Sequence, residues 1–220
     1  MKNNTGYIIG KGSEFFGDKY EELLEKVYSK LDLLNDQYKI IYSKKEVHNV
    51  SIIPVETFKI QNLKKEELVK NEDIVQIWFE TSTEHIQEIK NLSDYCYSKL
   101  RTFYSQKYLF SSPSFNYTLY NKDCFISNHK DGYDNYDKRL CVLLLYLNKD
   151  WEKGLGGELI ITTNDGEKIE IEPTFGNIAI LDFRTANLEH EVKKITSDIF
   201  NRKALVSFIM KEDNINYKEN

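Results

Sequence analysis

Residues 140–171 read LCVLLLYLNKDWEKGLGGELIITTNDGEKIEI, and this stretch decides the fold class. An apolar run from Leu140 to Leu147 gives way to turn-forming residues. A second β-rich run, Glu158 to Thr163, leads into Asn164-Asp165-Gly166, a strong hairpin turn, and Lys168 to Ile171 follows. The segments are short, parted by turn residues, and carry no helical period.

The same signature extends outward on both sides. Phe115 to Tyr120 and Phe125 to His129 precede the stretch; Asn177 to Phe183, Glu189 to Lys193 and Arg202 to Met210 follow it. Seven or eight strands within roughly a hundred residues predict a sandwich or barrel of the jelly-roll kind, the double-stranded β-helix.

Before Ser114 the chain is built differently. Glycine marks the change: four lie at positions 6 to 17, none from 18 to 131, and six from Gly132 to Gly176. From Asp18 to about Tyr38, apolar Tyr20, Leu23, Leu24, Val27, Tyr28, Leu31 and Leu34 recur at helical spacing opposite Glu and Lys, which predicts an amphipathic helix. A second helix is expected from a cap at Ser82 or Thr83, through Ile86, Ile89, Cys96, Leu100, Phe103 and Tyr104, to a stop before Ser111-Ser112-Pro113. Between them, Tyr38 to Tyr42, Val50 to Ile53 and Ile74 to Phe79 read as short strands and Leu63 to Val69 as a helical turn. The expected class is α+β: a jelly-roll core over residues 114–212, an extension over 1–113 whose helices pack on its outside, and a polar tail at 213–220.

At 220 residues, 40% apolar and 13% aromatic, the chain is long enough and rich enough in core-forming side chains for one globular domain. A net charge of −5 gives no basic footprint for nucleic acid. The first residues carry no apolar run suited to a secretory signal or a membrane span, so the expected location is cytoplasmic. Cys96, Cys124 and Cys141 are odd in number and form no CxxC pair, which suits buried thiols rather than disulfides or a thiolate zinc site.

Of four histidines, His129 and His190 fall at strand ends in the β-rich half, whereas His48 in a charged connector and His85 in the first turn of the second helix read as non-ligands. Asp131 follows His129 by two residues. In a strand such positions share a face, so His129 and Asp131 can present a nitrogen and an oxygen to one point. His190 on a facing strand completes a set of two imidazoles and one carboxylate. On one face of an octahedron that set leaves three adjacent positions open, as in non-haem Fe(II) oxygenases.

From about Tyr120 to Met210 the sequence resembles the prolyl 4-hydroxylase-like family of Fe(II)/2-oxoglutarate dioxygenases. Tyr146-Leu147-Asn148-Lys149-Asp150-Trp151 is similar to the family's Tyr-Leu-Asn-x-x-Trp strand and turn, with Trp151 closing the turn. Gly156-Gly157-Glu158-Leu159 is similar to its Gly-Gly-x-Leu, Ile171-Glu172-Pro173 with Gly176 to its proline-bearing turn, and His190-Glu191-Val192 to the segment with the distal ligand. The resemblance implies Fe(II) at His129, Asp131 and His190, with 2-oxoglutarate as cosubstrate, O2, and ascorbate as reductant. It also implies Arg202 on the far carboxylate of 2-oxoglutarate, with Tyr146 sharing that carboxylate and Tyr120 near the cosubstrate. Lys203 is the rival of Arg202; strand alternation favours Arg202, in phase with Ala204 and Val206. Val206 departs from relatives that carry threonine there.

The implied reaction couples decarboxylation of 2-oxoglutarate, to succinate and CO2, to hydroxylation of an unactivated C–H bond. Retention of Asp131 favours hydroxylation over halogenation, where relatives carry a small residue in its place. A prolyl residue in a protein and a free amino acid or other small metabolite are both open as substrates. Two further readings are a non-catalytic jelly-roll metal-binding module and a nucleobase demethylase. The first has no use for Arg202, and the second expects an Arg-rich pattern that Arg202-Lys203-Ala204-Leu205-Val206 lacks. Asp134, Asp137, Tyr133 and Tyr136 are expected in a polar loop after Asp131, read either as a lid over the substrate or as a plain solvated loop.

Overall fold

The computed structural model describes residues 5–34, 38–44, 57–60, 65–104, 114–131 and 139–210. The chain opens with β1 (Tyr7–Lys11), α1 (Gly12–Phe16), α2 (Lys19–Tyr28) and a 3-10 turn (Leu31–Leu34). There follow β2 (Lys39–Lys44), β3 (Thr57–Ile60), α3 (Lys65–Val69), β4 (Ile74–Ser82) and α4 (Gln87–Phe103). The second half is all strand: β5 (Asn116–Tyr120), β6 (Phe125–His129), β7 (Arg139–Tyr146), β8 (Leu159–Thr162), β9 (Lys168–Ile171), β10 (Asn177–Asp182), β11 (Glu189–Val192) and β12 (Arg202–Met210).

The strands hydrogen-bond in the order β1-β10-β7-β12-β5-β4-β6-β11-β8-β9, every pair antiparallel, with β2 on β4 and β3 on β2. The turn lies at β4. One of its edges pairs with β2; the other carries β5 at Phe79–Ser82 and β6 at Gln76 and Ile77, so β5 and β6 lie end to end along it. The chain thereby leaves one sheet and enters the other between Tyr120 and Phe125. This is the strand exchange of a double-stranded β-helix, or jelly roll.

β7 explains why the opening stretch is so apolar. Cys141, Leu143, Leu145 and Leu147 pack in the cluster formed with Tyr20, Leu24 and Val27 of α2 and Leu92, Cys96 and Leu100 of α4. Val142, Leu144 and Tyr146 face the barrel interior with Leu159, Ile161, Ala179 and Ala204. A strand buried on both faces loses the polar alternation of a half-exposed one. Gly12 lets α1 seat on α2, since a Cβ there would overlap the Tyr20 ring.

The helices differ from the expected spans in instructive ways. The first stops at Tyr28 and continues after a break as a 3-10 turn, with Lys30 N–H donating to Val27 and Leu33 N–H to Lys30. Residues three apart eclipse in that geometry, so Leu31 and Leu34 both stay buried while Leu33 is exposed. The second helix begins at Gln87 rather than at Ser82 or Thr83, because β4 runs on through Ser82 and the Thr83 hydroxyl is spent on the Phe115 carbonyl. His85 accordingly precedes the helix. Neither β1, which adds to the open edge of β10, nor α1 was expected from sequence.

All three cysteines are free and buried, and no helix among the described residues is long and apolar enough to cross a membrane. The readings at His48, Val50 to Ile53, Ser111 to Pro113, the loop with Tyr133 to Asp137, and the tail after Lys211 lie outside the described residues.

Leu143 is fully buried between β7 and the helices. Leu143→Ala should lower unfolding stability by about 3 kcal/mol, whereas Lys168→Ala on exposed β9 should stay within about 0.5 kcal/mol of the parent. Urea denaturation measures both.

Candidate active site

β6 and β11 are hydrogen-bonded neighbours, and their register sets His129 directly opposite His190. The third-ligand strand is thus adjacent to β6 in the same sheet. The two imidazole centroids lie 4.3 Å apart. His129 Nδ1 sits 2.9 Å from the Ser127 carbonyl and His190 Nδ1 3.1 Å from the Leu188 carbonyl. A carbonyl only accepts, so each Nδ1 carries the hydrogen and each Nε2 turns its lone pair inward.

Both Nε2 atoms meet Asp131, which lies two residues past the end of β6. His129 Nε2 is 3.3 Å from Oδ1 and His190 Nε2 is 3.3 Å from Oδ2. One ligand atom from each of the three residues falls within 4.8 Å of the others, a spacing that can hold a metal ion. This is the one such cluster among the described residues.

Burial favours the neutral form of His129, but the hydrogen bond and charge of Asp131 outweigh it, and the pKa is raised. Burial likewise opposes the charge on Asp131; the two histidines outweigh it and hold the carboxyl well below the usual carboxylate range.

These residues open onto a cavity of about 340 Å³ inside the barrel. At its floor stands Arg202, the first residue of β12, paired in register with Tyr120 and 1% exposed. Its guanidinium carbon lies 4.7 Å from the Tyr120 ring centre and 5.2 Å from that of Tyr146. Arg202 Nε and Nη2 and the Tyr146 hydroxyl are all buried without a hydrogen-bond partner. Burial raises the Tyr146 phenol pKa, with the Arg202 charge and the approach of its guanidinium to the phenol oxygen working against it. Such donors left unpaired cost on the order of 1–3 kcal/mol each, more where charged. A carboxylate, planar and bidentate, fits that fork.

Gly157 makes room for this arrangement. Its φ is +85°, and a Cβ there would come within 2.7 Å of Ile195 Cδ1 and 3.0 Å of Arg202 Cδ. Trp151 closes the preceding turn by donating to the Gly156 carbonyl at 3.0 Å. Val206 lines the cavity above Arg202, whereas Lys203, the rival in the sequence, is absent from its lining.

Other lining residues had no sequence signal. Gln76, Trp78 and Glu80 alternate along β4 and face the cavity. Trp78 lies parallel to Tyr120 at 9°, with centroids 6.4 Å apart. Arg139, at the start of β7, donates to the Asp131 main-chain carbonyl at 2.7 Å and lies 4.6 Å from the Phe208 ring. Gln76, Trp78 and Glu80 carry an alternation of period two, the one hint available, but it cannot say which face turns inward.

Metal binding must displace the proton that Asp131 helps His129 retain. In the metal-free protein the raised His129 pKa contributes stability below the unfolded value near 6.5, lost as pH rises through the folded value. The depressed Asp131 pKa contributes above about 3.9, lost as pH falls toward the folded value. The thermal stabilisation by Mn(II) should therefore grow between about pH 6 and about pH 8. Melting curves with and without Mn(II) across that range measure it, and a flat increment would contradict the proton competition.

Residues 115–210 match the family model of the 2OG-Fe(II) oxygenase superfamily. No individual curated protein sequence matches the chain. Among solved structures, the chain is similar to a Pseudomonas putida prolyl-4-hydroxylase at 14% identity, covering 94% of both chains with a TM-score of 0.61. A Trichoplax adhaerens prolyl hydroxylase, in complex with a hypoxia inducible factor peptide fragment, aligns at 17% identity over 94% of this chain and 84% of that one, TM-score 0.58. The viral collagen prolyl hydroxylase of Paramecium Bursaria Chlorella virus-1, in its 2OG complex, aligns at 19% identity over 94% and 97%, TM-score 0.53. At these identities the structural likeness carries the fold. The family match adds the chemistry, with its Fe(II), 2-oxoglutarate and O2: residues 115–210 form a 2OG-Fe(II) oxygenase domain, and the protein is an Fe(II)/2-oxoglutarate-dependent dioxygenase.

Proposed function

We propose that the chain hydroxylates a prolyl residue of a peptide or protein, with His129, Asp131 and His190 holding the iron and Arg202 and Tyr146 holding the distal carboxylate of 2-oxoglutarate. The observation that carries this reading is the buried fork of Arg202, unpaired beside the unpaired Tyr146 hydroxyl, in the same cavity as the triad. A site that bound metal alone would have no anion to set against that charge. The bound group supplies oxidation of a C–H bond by O2, coupled to conversion of 2-oxoglutarate into succinate and CO2.

The protein's own side chains do the rest. The Nδ1 hydrogens of His129 and His190 stay on main-chain carbonyls, fixing both rings with Nε2 available. Asp131 supplies the carboxylate whose retention favours hydroxyl transfer over halide transfer. Arg202 and Tyr146 select a diacid of the right length, and Tyr120, under Trp78, walls that end of the cavity. Ile41, Trp78 and Phe208 give the cavity apolar surfaces suited to a pyrrolidine ring. The three structural neighbours named above are prolyl hydroxylases, which supports the same substrate class. Ascorbate is the reductant that keeps the iron ferrous.

Purified protein with Fe(II) and ascorbate should convert 2-oxoglutarate to succinate, faster with proline-containing peptides than with free amino acids. His129→Ala and Asp131→Ala should fall to the metal-free blank. Arg202→Ala should raise the KM for 2-oxoglutarate more than about tenfold. Absence of succinate above the blank with every peptide and amino acid tried would overturn the reading; stimulation by a free amino acid alone would overturn the peptide substrate.

A further inference from the structure

Arg202 and Lys203 are consecutive, and strand geometry sends one inward and the other outward. Which one faces the cavity depends on how the start of β12 is held. On one edge β5 pairs with it, Arg202 opposite Tyr120 and Lys203 opposite Leu119; on the other edge the regular β7–β12 ladder stops at Ala204 and Tyr146. Beyond them the Leu147 N–H donates to the Lys203 carbonyl at 3.1 Å. The remaining grip on that second edge comes from a side chain.

That side chain is Asn148, 1% exposed. Its Oδ1 accepts the Lys203 N–H at 2.8 Å, and its Nδ2 reaches the Lys203 carbonyl at 3.4 Å. The same Nδ2 donates to the Pro173 carbonyl at 2.5 Å. The main chain of Asn148 is pinned as well, by Phe175 N–H donating to its carbonyl at 2.6 Å and by a bridge to Thr174. One amide thus engages both main-chain groups of Lys203 and ties them to the turn after β9. With the Lys203 backbone fixed, its side chain points away from the cavity and the guanidinium of Arg202 is delivered to the floor, its stem lying against Gly157.

We propose that Asn148 is a positioning residue for the cosubstrate: opposite the β5 ladder it secures the other edge of β12 at Lys203, so that Arg202 presents its fork to the distal carboxylate of 2-oxoglutarate. This rests on the cosubstrate reading given above. Asn148 itself touches neither metal ligand nor cavity, so its loss should act on the diacid and leave the metal alone. A side chain of general structural importance would weaken both.

The test compares Asn148→Ala with the parent protein, titrating Mn(II) alone and then 2-oxoglutarate onto the Mn(II) form by calorimetry. Asn148→Ala should weaken 2-oxoglutarate binding about tenfold and move the Mn(II) affinity less than twofold. In turnover the effect should fall on the KM for 2-oxoglutarate rather than on kcat. Discrimination against 2-oxoadipate, one methylene longer, should fall as the fork loses its fixed distance. If Asn148→Ala does not accumulate as folded protein, Asn148→Ser, which keeps a hydroxyl too short to span both Lys203 groups, is read by the same measurements. Unchanged 2-oxoglutarate affinity and length discrimination in a folded variant would overturn the proposal, as would parallel loss of metal and diacid binding. Failure of the parent protein to bind 2-oxoglutarate would instead overturn the cosubstrate reading beneath it.

Discussion

A buried guanidinium without an anion is the constraint around which the barrel interior is arranged. Arg202 is 1% exposed, and two of its donors and the Tyr146 hydroxyl lack partners. Removing a cation from water costs several kcal/mol, and among the described residues no carboxylate pairs with it to repay that cost. The surrounding packing must carry it. β7 and β12 are apolar on both faces, and two clusters, one under the helices and one inside the barrel, share their alternating side chains.

That arrangement also explains the division of labour between the halves of the chain. The helices before Ser114 cover the outer face of β7, β10 and β12, which leaves the inner face free to hold polar groups. β4, from the same half, closes the barrel by carrying β5 and β6 end to end and turns Gln76, Trp78 and Glu80 into the cavity. The N-terminal extension therefore lends a wall to the site as well as an outer layer.

Much of the fold was legible because its signals are local. The Asn164-Asp165-Gly166 turn, the paired glycines at 156 and 157 and the short apolar runs each report a backbone event within a few residues. Where the reading missed, a distant contact overrode a local preference. Thr83 looks like a helix cap in sequence, yet its hydroxyl goes to Phe115, thirty-two positions on. The first helix breaks after Tyr28 because a 3-10 turn keeps Leu31 and Leu34 both buried. β1 lies far in sequence from the β-rich half, and gains its identity from pairing with the edge of β10.

The sequence by itself determined the chemistry available to the site: which side chains can offer a metal two nitrogens and a carboxylate, and which can offer a diacid a planar cation. His129 and Asp131 could be paired from their spacing because strand geometry repeats every two residues. Only the tertiary structure decided that His190 stands opposite His129 and that Arg139 holds the Asp131 main chain. Each depends on register between strands distant in sequence. Register is set by the sum of packing and hydrogen bonds across the sheet, and no short window of sequence contains that sum.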